Sequence, residues 1–135
     1  MNRADIVKDI LTPLLNELDE RSRHMIELRF GLTTYARTLE EIADEFGLAR
    51  ERIRQLLRKT LEHLSEEAKP LLFSAIVQEA ADLRAALIEE HGAVGPELLP
   101  SRYDEPWRDL ALGVCGVSTE SWIRIVVRDR SETVS

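Results

Sequence analysis

Apolar positions recur at helical spacing along almost the whole chain. Ile6, Ile10, Leu11, Leu14 and Leu15 fall on one side of a helix over 4–17, which Pro13 is expected to break or kink near Thr12. Asp19 suits the N-cap of a second helix reaching Phe30, with Met25, Ile26, Leu28 and Phe30 apolar and Gly31 as its stop. Residues 32–37 (LTTYAR) carry no period and read as a loop. Thr38 opens a third helix through a T-x-x-E capping box with Glu41. Leu39, Ile42, Ala43 and Phe46 form its buried side, and Gly47 ends it. Only Gly47, Leu48 and Ala49 separate it from a further run starting at Arg50, with apolar positions Ile53, Leu56/Leu57, Leu61 and Leu64. A short helix, a tight glycine turn and a longer helix are the helix-turn-helix pattern.

The remainder predicts more helix and a single strand. Pro70 suits the first turn of a helix whose face is Leu72, Ile76, Ala80, Leu83 and Leu87, ending at Gly92. HGAVGP is a connector, and 96–99 suits one short turn. Asp104 is the expected cap of a helix with Trp107, Leu110, Ala111 and Val114 inward and Gly116 at its end. SWIRIVVR alternates Ile123, Ile125 and Val127 with Trp122, Arg124, Val126 and Arg128, and reads as a strand. The expected fold is therefore mainly α. It has an N-terminal helix-turn-helix domain over 1–66 and a small helical domain over 67–135 closed by one strand, compatible with a winged helix. The boundary falls at 65–69 (SEEAK). A lone strand leaves its backbone groups unmet, so it is expected to pair with Ala93–Val94 or with a second copy in a two-fold dimer.

Composition narrows the class. The formal net charge of −7 argues at first against nucleic acid. The distribution reverses this locally, because residues 50–59 (RERIRQLLRK) carry Arg50, Arg52, Arg54, Arg58 and Lys59 against Glu51 alone. Residues 71–135 are acidic on balance, which points away from tight DNA contact by that half and toward protein interaction or dimerisation. No apolar run approaches the ~20 residues of a membrane span, and the N-terminus has no signal-peptide h-region, so a cytoplasmic protein without membrane contact is expected. Cys115 is the only cysteine, which excludes an internal disulfide and a multi-cysteine zinc site. It reads as a small buried hydrophobe. His24, His63 and His91 lack metal-ligand spacing. No phosphate loop, catalytic triad or carboxylate pair stands out, so no enzyme, cofactor or metal is expected.

Three ordered blocks resemble a family. LDERSRHMIELRFGL, RTLEEIADEFGL and ARERIRQLLRKTLEHL, spanning Leu18 to Leu64, are similar to region four of housekeeping-type bacterial RNA polymerase sigma factors. The resemblance implies that Arg50 and Glu51 read base edges in the major groove, with Arg54 and Gln55 one turn further on the same face. It implies DNA contacts for Lys59, for Thr38 and Leu39 at the start of the first motif helix, and for Arg21 and Arg29 on the opening helix. The chemistry agrees: Arg pairs with guanine O6/N7 and Glu accepts from cytosine N4. Arg58 and Glu62 read as plain surface. Two departures stand out. Ala49 occupies an N-cap where the family has Thr or Ser, at a cost of roughly 1 kcal/mol. The loop before Thr38 is about one residue short.

The family's separate DNA-melting domain has no counterpart in the sequence, so the chain is expected to be a stand-alone regulator or a piece of a larger protein. The expected partners are double-stranded DNA and RNA polymerase. A docking surface for the polymerase beta flap is suggested by Leu14, Leu15, Leu18, Met25 and Leu28. The competing class is an adaptor or inhibitor that docks on polymerase without reading DNA. The base-reading residue types at 50–55 favour the first class.

Overall fold

A computed structural model describes residues 3–99 and 105–127, and among these every regular element is helical. They are α1 (Arg3–Glu17), α2 (Glu20–Phe30), α3 (Leu39–Phe46), α4 (Arg50–His91), a 3-10 turn at Pro96–Leu98, α5 (Pro106–Cys115) and α6 (Thr119–Val126). Asp19 caps α2 by accepting from the Ser22 N–H at 3.1 Å. Thr38 and Glu41 form the reciprocal box that starts α3. Ala49 sits at the N-cap of α4 with no side-chain cap. α1 runs through the exposed Pro13 without interruption, because Val7, Leu11 and Leu15 bury a continuous face against the core.

α4 is the spine. At 42 residues it is about 63 Å long. α1, α2, α3, α5 and α6 all pack on it. Ile53, Leu57, Leu64, Ala68, Leu72, Ile76, Ala80 and Leu87 are buried along its length, so the apolar stripe passes through 65–69 unbroken. The segment expected to separate two domains thus lies inside a helix. Pro70 is an interior residue of that helix rather than its first turn. It is exposed, so its missing N–H and its ring face solvent.

The expected C-terminal strand is a helix. Ser118 accepts from the Ser121 N–H at 3.1 Å, α6 follows, and Trp122 and Val126 are buried four residues apart. The β-branched run favours a strand, but the described residues offer no strand to pair with. A helix satisfies its own backbone and still buries one side. With no strand among the described residues there is no wing, and the strand-paired dimer loses its basis. Arg128, the last position of that expected strand, and Asp104, the expected cap of α5, lie outside the described residues. The described N-cap of α5 is Glu105, followed by Pro106.

α5 seats against α1, α2 and α4. Leu110, Ala111 and Val114 are buried, as expected, and Trp107 packs against the core from its edge. The approach to α2 is close: a Cβ on Gly113 would stand 3.4 Å from Phe30 Cζ. This packing absorbs the apolar residues of the opening helices. Leu15, Met25 and Leu28 are buried, and Leu14 and Leu18 pack on the core. One contiguous cluster joins both halves of the chain. Cys115 is buried, and burial pushes its thiol above the ordinary cysteine range. No helix among the described residues is long and apolar enough to cross a membrane.

Candidate nucleic-acid interface

The turn between α3 and α4 sets the angle of the motif. Gly47 adopts the left-handed conformation, φ 65°, which a side chain would oppose. Its N–H and that of Leu48 both donate to the Ala43 carbonyl, closing the end of α3. Two residues later α4 begins.

The first three turns of α4 divide into packed apolar and exposed polar positions. Ile53 and Leu57 are buried and Leu61 packs on the core, while Arg50, Glu51, Arg54, Gln55 and Lys59 are all exposed. A 3.6-residue period places 50/54 and 51/55 one turn apart, so these four form one exposed strip, and Lys59 lies one turn beyond Gln55 at its far edge. Within it, Glu51 and Arg54 are joined: Arg54 Nε donates to Glu51 Oε2 at 2.9 Å and Nη2 to Oε1 at 2.6 Å. These bonds hold the Glu51 carboxyl below the usual glutamate range and keep it ionised. Arg58 lies 4.0 Å from Glu62. Arg50, Arg52 and Lys59 make no ion pair among the described residues, so they remain the cations most available to an anionic partner.

The flanking residues divide. Thr38 is exposed at the N-terminus of α3, where unpaired helix N–H groups gather, but its hydroxyl already accepts from Glu41 N–H at 3.1 Å. Leu39 is half-buried and packs on the core, which leaves only its backbone for a phosphate. Arg21 is exposed on the first turn of α2, lining a groove of about 570 Å³ between α2 and α3 with Arg23, His24 and Phe46. Arg29 is half-buried, and its Nη1 donates to the Arg37 carbonyl at 3.0 Å, so it braces the loop before α3.

Sequence spacing did not reveal how α3 is fixed to α2. Glu45 accepts from Arg37 Nη1 at 3.4 Å and lies 2.8 Å from His24 Nε2. These partners are too far apart in sequence for a periodic pattern to show them. Among the described residues no cluster of His, Cys, Asp and Glu is arranged to hold a metal ion.

The helix pair, the glycine turn and the exposed polar strip agree with the comparison to known families. Residues 14–66 match the family model of sigma-70, region 4. RNA polymerase sigma factor SigA of a Bacillus species is 41% identical over 66 residues, which is 48% of this chain and 18% of that protein. SigA of Clostridium acetobutylicum is 43% identical over 65 residues, covering 47% of this chain and 17% of that protein. The chain spans less than a fifth of the length of these relatives. No solved structure matches it.

Proposed function

We propose that this chain is a sequence-specific DNA-binding regulator of transcription, acting in the cytoplasm with RNA polymerase. The first turns of α4 enter the major groove of a promoter-like element of the −35 type. The supporting observation is that Arg50, Glu51, Arg54, Gln55 and Lys59 are all exposed on the first turns of α4 while Ile53 and Leu57 are buried. Arg50 is the reader of a guanine, bidentate to O6 and N7. Glu51, aligned by Arg54, accepts from a cytosine. Gln55 extends the readout by one step, while Lys59 and the start of α3 hold the backbone. The partnership with polymerase rests on the relatives, which are RNA polymerase sigma factors. A purely adaptor role is less favoured, because the apolar residues that suggested a flap-docking surface are packed inside.

The test is selection of bound sequences from random duplexes by the intact 135-residue chain. A short enriched motif, absent when Arg50→Ala is used, is the expected outcome. Recovery of DNA with no enriched motif, or no recovery above background, contradicts the reading.

A further inference from the structure

The turn between α2 and α3 is unusually well fixed. Gly31 ends α2 at φ 68°, and a Cβ there would stand 2.6 Å from the Ala36 nitrogen, so the chain folds directly back onto the helix end. Arg37 N–H donates to the Leu28 carbonyl at 2.8 Å, and the Arg37 carbonyl accepts from Arg29. The Arg37 guanidinium is bonded to Glu45 of α3. On this frame stands Tyr35, 64% exposed, with the Arg37 guanidinium 4.7 Å from its ring centre. Its hydroxyl makes no hydrogen bond among the described residues. The fold thus orients the ring and leaves the polar end unused.

The exposed groups around Tyr35 are mainly hydroxyls, with Arg37 paired to Glu45 and the Glu41 carboxylate bonded to the Thr38 N–H. Residues 28–39 (LRFGLTTYARTL) are the longest stretch of this acidic sequence without a carboxylate side chain, and they carry Arg29 and Arg37. Thr33, Thr34 and Thr38 are exposed hydroxyls in the same stretch. Tyr35 is three residues from Thr38, so its Cα lies within about 10 Å of the α3 N-cap. One strand of duplex DNA places a phosphate every ~3.4 Å along its axis. A strand passing the start of α3 therefore brings a neighbouring phosphate to the turn, and Tyr hydroxyls are among the groups that bind phosphate oxygens.

We propose that the Tyr35 hydroxyl donates to a DNA backbone phosphate beside the α3 N-terminus, making the 33–37 turn a second, sequence-independent clamp. Arg37, itself paired with Glu45, holds the ring in place. This inference rests on the DNA-binding reading above, and its test separates the two. Affinities of the full chain, Tyr35→Phe and Arg50→Ala are measured on the selected duplex and a scrambled one at several salt concentrations. Tyr35→Phe keeps the ring and its stacking and removes only the donor. It should weaken both duplexes by the same factor, roughly three- to tenfold. The salt slope should not change, since no charge is lost. Wild-type affinity of Tyr35→Phe on both duplexes overturns the clamp, as does a loss confined to the selected duplex. If Arg50→Ala loses its preference while Tyr35→Phe is unchanged, the clamp falls and the DNA reading stands. If the intact chain binds neither duplex, both fall.

Discussion

Glu51 and Arg54 are bound to each other on the exposed side of α4. In the proposed DNA-binding reading the pair aligns two base-edge partners, and it also removes one positive charge from the face presented to phosphate. Replacing Glu51 by Gln releases the Arg54 guanidinium. Affinity for scrambled duplexes is expected to rise and discrimination at one C·G pair to fall, both visible in a titration against single-base variants of the selected site. Unchanged affinity on scrambled DNA would show that the pair does not limit the charge available. At this scale the exposure of Arg50, Glu51, Arg54, Gln55 and Lys59 was legible, because the apolar positions Ile53, Leu57 and Leu61 fix the helical phase. The bracing of Glu45 by His24 and Arg37 was not, because those contacts cross between elements at no fixed spacing. Arg29 was read as a DNA contact, and its guanidinium also donates to the Arg37 carbonyl, a bond that spacing did not reveal.

Helix starts and stops carried strong local chemistry. Asp19, Thr38, Gly31, Gly47, Gly92 and Gly116 all act where their residue types predicted, as caps or left-handed ends. Proline and β-branched runs misled. Pro13 and Pro70 are local breakers that tertiary packing overrides, since the apolar face continues on both sides of each. Trp122 to Val127 fits a period of two and a period of 3.6 about equally, and the choice depends on whether a partner strand exists. Pro70 still carries a local cost. Pro70→Ala restores a backbone N–H in the middle of α4 and should stabilise the chain by about 1–3 kcal/mol, less than the full interior penalty because proline also restricts the unfolded chain. Thermal unfolding followed by helical circular dichroism checks this. A lower midpoint would show that the ring makes packing contacts that matter more than the missing bond.

The two halves of the chain share a core, and a buried ion pair sits between α4 and α5. Arg108 Nη1 lies 3.4 Å from Glu79 Oε1, with its guanidinium 5.3 Å from the Trp122 ring centre, while Glu79 Oε2 is buried with no hydrogen-bond partner among the described residues. Burial pushes the Glu79 carboxyl above its ordinary 4.5, against the pull of Arg108 and with help from Glu105 and Asp82. An acid with a raised folded pKa binds its proton more tightly when folded. Its contribution to stability is therefore largest at low pH and falls as pH rises from about 4.5 through the folded value. Denaturation of wild type and Glu79→Gln from pH 4 to 8 isolates this group, because other carboxylates cancel in the difference. Wild type should lose stability relative to the variant as pH rises, and a flat or rising difference would contradict the burial argument. None of this was legible beforehand, because the contact of Glu79 with Arg108 of α5 joins residues 29 apart in sequence.

The most direct test of the whole account is the affinity of Arg50→Ala, beside wild type, for the selected duplex and a scrambled duplex of the same length. Base reading by the start of α4 predicts a loss of ~1–3 kcal/mol on the selected duplex, little change on the scrambled one, and relaxed preference at one base pair. An equal loss on both duplexes would reduce Arg50 to a phosphate contact, and no loss on either would mean that α4 does not enter the groove.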